Sequence, residues 1–291
     1  MGKILIIGAA NIDLIAIPDS KLRMRDSNIG KANISFGGVG RNLVENLARL
    51  GHEVHFLTAL GNDPYGIALR DDLEKLSVNI KESIFASERS GYYLAICDAL
   101  GDMQVAVCDN EINERINPEY LKSKLDYINT FEHFVFDTNL SFASLKFLFE
   151  NTSGKIYLDA TSISKGKLIE PYLSKISVLK GNRVEIKALA KAGADIEEEI
   201  KSLLKKGVER VVLTSGPGPV YYNLNGKVES IMPPPATPVS TTGSGDAFLS
   251  GVIHGILLER PFSECIAFGI KAAAATMMVY GACNPDLKKY L

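Results

Sequence analysis

The sequence predicts an α/β fold with a central, mostly parallel β-sheet flanked by helices, and a small β-sheet that serves as a lid. Short apolar runs alternate with helical patterns along most of the 291 residues, which is typical of a parallel sheet covered on both faces. Two segments, about 12–36 and 90–109, break this alternation. Two long apolar helical patterns, 245–258 and 262–280, close the chain.

The apolar runs place the elements of the main sheet. They are short, rich in branched and aromatic residues, and bounded by polar or glycine residues, as strands are. The predicted strands are 3–9, 55–60, 134–137, 155–159, 178–180 and 211–214. Helical spacing of apolar residues predicts helices at 39–50, 65–76, 118–129, 142–150, 183–192 and 197–206. The first of these ends just before Gly51, a residue suited to a left-handed C-terminal cap.

The two segments outside the alternation predict the lid. Residues 92–98 and 103–108 flank the turn 99–102 and form a hairpin pattern. Residues 12–36 hold two further short runs. In open α/β sheets, ligands bind at the carboxyl edge of the strands, so we expect the lid to cover that edge. No linker or repeat divides the chain, which predicts a single domain over 1–291.

Composition excludes several classes of function. The net charge of −2 gives no electrostatic reason to bind nucleic acid or an anionic membrane. No apolar run reaches the roughly 18 residues that span a bilayer, and the first residues read as a buried strand. The four cysteines form no CxxC pair, which favours free thiols in a reducing cytoplasm over disulfides or zinc.

The most informative motif is a glycine turn, Gly243-Ser244-Gly245, that is followed by Asp246 and an apolar helical pattern. A helix start presents free N–H groups and the positive end of the helix dipole, which bind anions. A carboxylate beside an anion site suits phosphoryl transfer to an alcohol, since it can take the hydroxyl proton. Asp246 alone could be a first-turn acid that favours the dipole, but that explanation leaves both glycines unexplained.

Two early motifs are candidates for the binding of a substrate hydroxyl. Asn11 and Asp13 follow the first strand, and the paired Gly37-Gly38 precedes a helix whose first turn holds Asn42. Paired glycines let a ligand approach the backbone, and an amide can bridge two neighbouring hydroxyls. The alternatives are an Asx turn at the strand end and a tight loop before an ordinary helix.

Two late motifs are candidates for nucleotide contacts. Asn182 and Glu185 lie one helical turn apart and could hold Mg²⁺ through water, although the same pattern describes a helix capping box. Thr214, Gly216 and Gly218 form a loop at the end of a late strand that could border a nucleotide.

Together these motifs and their order resemble the ribokinase-like (PfkB) carbohydrate kinase family over essentially the whole chain. The early stretch 37–42 and the late stretch 242–246 are similar to the two signatures of the family. The resemblance implies an ATP-dependent phosphotransferase that acts on a primary hydroxyl with Mg²⁺. Within the family, the stretch 37–51, the lid stretch 105–112 and the stretch 180–185 are most similar to the pseudouridine kinase subgroup.

Carried over by position, the resemblance implies a role for each motif residue. Asp246 would be the base, and Gly243, Ser244 and Gly245 would supply the anion-binding amides. The substrate-binding residues would be Asn11, Asp13, Gly37, Gly38, Asn42 and Asn139. Asn182 and Glu185 would order magnesium and phosphate, with Glu185 acting through water. Thr214, Gly216 and Gly218 would border ATP.

The sequence departs from the family pattern in two places. Ser240 stands where the family usually has an acid that helps to form a monovalent-cation site, so potassium activation is not implied. In the loop after Thr214, Gly218 precedes Pro219 where the family places its second glycine one position later. The adenine contacts of that loop are therefore not implied either.

The expected activity is phosphorylation of the 5′-hydroxyl of a nucleoside, with pseudouridine as the substrate. One alternative is a kinase of the same family for ribose, fructose or adenosine. Another is a nucleoside-binding regulator without catalysis, which the intact glycine turn and Asp246 disfavour. A Rossmann oxidoreductase is disfavoured because no GxGxxG follows the first strand. The free edges of the lid strands predict a homodimer formed through the lid.

Overall fold

The computed structural model describes residues 2–191 and 195–291. Within them the chain forms an eight-stranded sheet with helices on both faces, a four-stranded sheet and a two-stranded ribbon. The strands are β1 Lys3–Ile7, β2 Asn11–Pro18, β3 Gly30–Gly37, β4 Glu53–Leu57, β5 Ala59–Gly61, β6 Ile84–Ala86, β7 Gly91–Cys97, β8 Met103–Asp109, β9 His133–Phe136, β10 Lys155–Asp159, β11 Val178–Asn182, β12 Arg210–Thr214, β13 Val220–Leu224 and β14 Lys227–Ile231.

The main sheet has the order β14-β13-β12-β11-β10-β9-β1-β4. Six of its strands, from β12 to β4 in that order, are parallel, while β13 and β14 form an antiparallel hairpin at one edge. The predicted, mostly parallel sheet is confirmed, but the hairpin was not foreseen. The predicted strand 55–60 splits at Thr58, because β5 leaves the main sheet to pair with β6.

Burial alternates along the strands because successive side chains point to opposite faces. In β1, Leu5 and Ile7 join the apolar core on one face, while Ile4 and Ile6 join the core on the other. All four are fully buried. The two cores fix the sheet and bring the carboxyl ends of β1, β9, β10, β11 and β12 to one edge.

The helices mostly match their predicted positions. They are α1 Val39–Arg49, α2 Pro64–Lys75, α3 Pro118–Ser123, α4 Leu125–Ile128, α5 Phe142–Asn151, α6 Ile163–Ile169, α7 Arg183–Ala190, α8 Ile196–Lys205, α9 Ser244–Leu257 and α10 Phe262–Met277. The predicted helix 118–129 is broken at Lys124, and α6 was not predicted. The predicted end of the helix 183–192 at Ala192 lies outside the described residues.

The four-stranded sheet has the order β3-β2-β7-β8 and is formed by the two predicted lid segments. β2 pairs in parallel with β7, and the predicted hairpin joins β7 to β8. Gly101 takes a positive φ of 89° in its turn, where the Asp98 N–H donates to the carbonyl of Asp102 over 2.8 Å. This small sheet begins directly after β1, beside the carboxyl edge of the main sheet.

Candidate active site

The glycine turn before α9 has the shape that its residues predict. Gly243 has a φ of 72°, and a Cβ on it would collide with the carbonyl oxygen of Ala282. A Cβ on Gly245 would lie 2.8 Å from Nζ of Lys180. A larger side chain is therefore excluded at Gly243, and at Gly245 it would have to displace the ammonium of Lys180. The first turn of α9, which begins at Ser244, leaves backbone N–H groups available to an anion.

Asp246 lies one residue beyond this turn, with its carboxylate held by Asn42. Nδ2 of Asn42 donates to Oδ2 of Asp246 over 2.8 Å. Burial raises the pKa of Asp246 to about 7. The Asn42 hydrogen bond and the charge of Lys180 oppose this rise, while Asp159 and Asp137 add to it. A carboxylate with a pKa near neutral suits a general base.

Lys180 is a functional candidate that the sequence reasoning did not assign. Its Nζ forms a 2.6 Å ion pair with Oδ2 of Asp159, and both side chains are more than nine-tenths buried. Burial opposes its charge, but Asp159, together with Asp246 and Glu185, outweighs that effect and raises the pKa of Lys180. A permanent positive charge therefore lies against the glycine turn, at Gly245. The available signal was a lysine within a buried strand, which requires a partner.

Arg41 orients the amide of Asn42, and Cys283 packs against it. Nη1 of Arg41 donates to Oδ1 of Asn42 over 3.4 Å, and the Cys283 thiol lies 3.6 Å from the Asn42 backbone carbonyl oxygen and 4.0 Å from Oδ1. Burial raises the pKa of Cys283 well above its usual range, so the thiol stays protonated. Arg41 is itself buried and paired with Glu45 and Asp72. With the Arg41 donor at its oxygen, Asn42 turns its nitrogen toward Asp246.

The early motif residues meet at the start of the four-stranded sheet. Nδ2 of Asn11 donates to Oδ1 of Asp13 over 3.2 Å. Burial raises the pKa of Asp13 to about 6, against the Asn11 hydrogen bond and Arg41. A Cβ on Gly37 would collide with the Asp13 carboxylate, and Gly38 has a φ of 97°. The missing side chain at Gly37 thus leaves the space that the Asp13 carboxylate occupies.

The end of β9 supplies a further polar group. Oδ2 of the buried Asp137 accepts from the N–H groups of Ala9 and Gly40, at 3.0 and 3.2 Å. Its Oδ1 accepts from Nδ2 of Asn139 over 2.6 Å. The Oδ1 of Asn139 accepts from Nζ of Lys165, a residue that was not predicted. Asn139 therefore lies at the carboxyl edge, held between an acid and a lysine.

The Asn182 and Glu185 pair forms the capping box that was the alternative to a ligand role. Oδ1 of Asn182 accepts from the Glu185 N–H over 3.0 Å, and Oε2 of Glu185 accepts from the Asn182 N–H over 2.8 Å. Burial raises the pKa of Glu185. The charge of Asp159 also raises this pKa, and the charge of Lys180 lowers it. The capping box therefore lies near these two residues and the phosphate-binding candidates. Capping and a water-mediated role are compatible, since a carboxylate accepts several hydrogen bonds.

A cavity of about 470 Å³ joins the late loop to the glycine turn. Thr214 and Gly216 lie on one side of it, and Ser244 and Gly245 lie on the other. Apolar side chains of α9 and α10 and the proline segment line the remainder: Pro233, Pro234, Pro235, Phe248, Ile270 and Met277. Gly218 is outside this lining, where its N–H donates to the carbonyl of Ser215 over 3.0 Å. The cavity offers an apolar surface that leads to the glycine turn at the start of α9.

The family model described as pfkB family carbohydrate kinase matches residues 1–289 of this chain. The chain belongs to the pfkB family of carbohydrate kinases. It is 31% identical to the pseudouridine kinase of Escherichia coli (strain K12), over 98% of this chain and 93% of that protein. It is 27% identical to the guanosine-inosine kinase of Exiguobacterium acetylicum, with 94% of each chain covered. Such kinases are phosphotransferases that act on sugar or nucleoside hydroxyl groups.

Comparison with solved structures gives the same fold. The structure of Arabidopsis thaliana ribokinase complexed with ribose and ATP matches with a TM-score of 0.84 at 19% identity, over 100% of this chain and 99% of that one. The ribokinase-like fold that the sequence predicts is therefore confirmed.

Two structural features bear on the expected partners. Within residues 2–191 and 195–291, no three His, Cys, Asp or Glu side chains converge on a metal position. Across the same residues, no helix is long and apolar enough to cross a membrane.

Proposed function

We propose that this kinase phosphorylates the 5′-hydroxyl of a nucleoside with ATP and Mg²⁺, and that its substrate is pseudouridine. The observation that carries the proposal is the juxtaposition of three features at one point. These are a near-neutral carboxyl at Asp246, free amides in the glycine turn before it, and a buried cation at Lys180. A base, an anion site and a positive charge are what phosphoryl transfer to an alcohol requires.

Asp246 takes the proton of the substrate hydroxyl as that oxygen attacks the γ-phosphorus. The bond from the γ-phosphorus to the β,γ-bridging oxygen breaks, and ADP leaves. The amides of Gly245 and Asp246 and the ammonium of Lys180 face the charge that grows on the transferring group. Preorganised donors of this kind stabilise the transition state because they need no reorientation.

ATP would occupy the cavity between Thr214 and Ser244, with adenine on the apolar side and phosphates at the glycine turn. Glu185 would take part in magnesium binding, because its carboxylate is buried and lies beside Lys180. When bound, Mg²⁺ would neutralise phosphate charge. Asn182 holds the Glu185 backbone and carboxylate in place through the capping box.

The sugar end of the substrate would be held at the start of the lid. Asp13 and Asn11 project from β2 and would accept and donate hydrogen bonds to ribose hydroxyls, with Gly38 giving room for close approach. Asn139 would supply a further polar contact from the carboxyl edge. Closure of the small sheet would exclude water, so that ATP is not simply hydrolysed.

The choice of pseudouridine rests on the likeness to the Escherichia coli enzyme and on the stretch around Arg41. The test is ADP release from MgATP with pseudouridine, uridine, guanosine, adenosine, ribose and fructose as acceptors. Turnover with pseudouridine well above turnover with the other acceptors supports pseudouridine as the substrate. Faster turnover with a different acceptor keeps the mechanism and replaces the substrate. Tight nucleoside binding with no turnover supports the alternative function, a nucleoside-binding regulator without catalysis.

We also propose that the kinase is a homodimer formed through its lid. One face of the four-stranded sheet carries exposed apolar side chains at Ile34, Leu94, Val105 and Val107. Leu94 pairs in register with Val107, and Leu14 lies between Leu94 and Ile34, so these side chains share one face. A second copy would cover this face and the free edges of the sheet. Light scattering at micromolar concentration tests this, and a monomer mass contradicts it.

A further inference from the structure

Tyr93 lies on the face of the small sheet that also carries Asp13. Asp13, Tyr93 and Cys108 are successive partners across β2, β7 and β8, so their side chains point to one side, which is the inner face of the lid. The Tyr93 hydroxyl donates to Sδ of Met103 over 3.1 Å. Met103 pairs with Cys97 near the end of β7, so the Tyr93 ring extends along the strand.

Small residues lie along the path of this ring. Between Tyr93 and Cys97, the inner-face position of β7 is Ala95, and its register partner on β8 is Ala106. Two alanines leave room for a ring to lie flat against the sheet. The Tyr93 side chain is only half-buried, and within residues 2–191 and 195–291 its ring has no aromatic or cationic partner. The ring is therefore an accessible flat surface with no stacking partner in that part of the chain.

Lys165, on α6, lies near the same face of the lid. Its Nζ donates to Oδ1 of Asn139 at the carboxyl edge of the main sheet. Burial raises the pKa of Cys108, and the charge of Lys165 opposes this rise. Cys108 is the register partner of Tyr93. Lys165 and Tyr93 therefore border the same space between the lid and the main sheet.

The ammonium of Lys165 has donors that the described residues do not use. An ammonium carries three N–H donors, and Asn139 accepts from it. No carboxylate forms an ion pair with Lys165 in the described ranges, 2–191 and 195–291. The side chain is half-buried, and a lysine that is withdrawn from water usually has an acidic partner. Its remaining donors are thus available to a ligand.

We propose that the ring of Tyr93 and the ammonium of Lys165 form the nucleobase subsite. The base stacks on the ring, and one of its carbonyl oxygens accepts a hydrogen bond from Lys165. This rests on the proposed function, because Tyr93 adjoins the sugar candidate Asp13 and Lys165 adjoins the sugar candidate Asn139. Uracil has two ring carbonyl oxygens and adenine has none, so the subsite favours uracil nucleosides over adenosine.

The first test is Tyr93→Leu in the full-length protein. The acceptors are pseudouridine and methyl β-D-ribofuranoside, which has the sugar and its 5′-hydroxyl but no base. We expect kcat/KM for pseudouridine to fall roughly 10-fold, mainly through KM, because stacking on a base has this magnitude. The value for the riboside should not change. Tyr93→Phe keeps the ring and should retain most of the activity with pseudouridine.

Tyr92→Leu is the matched control for the lid. Tyr92 precedes Tyr93 on β7, so its side chain points to the opposite face. This variant should keep the parent preference for pseudouridine over the riboside. Thermal unfolding of each variant shows whether the lid still folds, and calorimetric Kd values give the same comparison for an acceptor that binds without turnover.

The second test is Lys165→Met, with Lys167→Met on the same helix as the control. We expect kcat/KM for pseudouridine to fall roughly 10-fold, the scale of a hydrogen bond from a charged donor. Values for adenosine and for the riboside should not change, because neither offers a ring carbonyl. If Lys165 only holds Asn139 against the sugar, all three acceptors lose equally, and this result overturns the assignment of Lys165.

The outcomes separate the subsite from the proposed function. Turnover of pseudouridine by the parent enzyme, with an equal loss on the riboside or no loss in either variant, overturns the subsite alone. A loss confined to a different, preferred uracil nucleoside supports the subsite and replaces the proposed substrate. Turnover of ribose with no nucleoside overturns both. If Tyr93→Leu does not fold, equal Kd values of the parent enzyme for pseudouridine and the riboside overturn the subsite, because the base then adds no binding.

Discussion

Asn42 and Asp246 are joined by a 2.8 Å hydrogen bond between residues 204 positions apart in the chain. It connects the first turn of α1 to the first turn of α9, so the candidate sugar-binding amide and the candidate base form one unit. Arg41 donates to the oxygen of this amide from the other side. The hydrogen bond therefore both places the Asp246 carboxylate and opposes the rise of its pKa.

Replacing Asp246 with Asn should remove the base and keep the shape of the site. We expect turnover to fall by roughly 10²–10⁴-fold or more, the scale for loss of a general base. ADP release gives the rate, and ligand-induced thermal stabilisation shows whether the substrate still binds. Turnover close to that of the parent enzyme would rule out Asp246 as the base.

The pH dependence of kcat/KM should follow Asp246. With a pKa of about 7, the carboxyl is protonated and inactive as a base below that pH and ionised above it. Activity should therefore rise as the pH passes through about 7 and level off above it. Stability has the opposite sign, because the folded state binds this proton more tightly than the unfolded state between pH 4 and 7. The contribution of Asp246 to the free energy of unfolding should decrease as the pH rises from 4 to 7. This pH-dependent decrease should be absent in Asp246→Asn.

Asn42→Leu tests the hydrogen bond directly. Loss of the Nδ2 donor removes a group that holds the pKa of Asp246 down, so the rise in activity should move to higher pH. The KM for the nucleoside should also increase, since the sugar loses a candidate partner. If the variant keeps its unfolding temperature and its pH profile is unchanged, Asn42 does not control the pKa of the base.

Lys180→Met should affect both catalysis and stability, for different reasons. Turnover should fall by roughly 10²-fold or more, because a charge aimed at the transferring phosphate is lost. Stability should fall by about 3–5 kcal/mol, because Asp159 is left buried without its partner. The double variant Lys180→Met/Asp159→Asn should recover much of the stability measured by urea unfolding while turnover stays low. Recovery of turnover in the double variant would make Lys180 a purely structural residue.

Patterns that depend on local chemistry were predictable from the sequence. The glycine turn at 243–245 was recognisable because a helix start with two glycines and an acid has few structural explanations. The parallel sheet was recognisable because buried parallel strands are continuous apolar runs. Features that depend on tertiary partners were not predictable. The sequence places Lys180 at the polar end of a predicted strand, and only the approach of Asp159 from β10 makes it a buried cation.

The boundary errors have the same origin. The apolar run 55–60 is continuous in sequence, yet it divides at Thr58 because β6 offers β5 a different partner. The hairpin of β13 and β14 was missed because its short strands are only partly buried. For Asn182 and Glu185 the sequence allowed both a capping box and a magnesium role, and the structure shows the first without removing the second.

The most direct test of the central claim is ADP release by the purified enzyme from MgATP with pseudouridine, compared with uridine, guanosine, adenosine, ribose and fructose, with and without potassium. We expect turnover with pseudouridine well above that with every other acceptor, and loss of this turnover in Asp246→Asn. No turnover with any acceptor, from a protein that the same compounds stabilise against heat, would contradict the catalytic role assigned to the site.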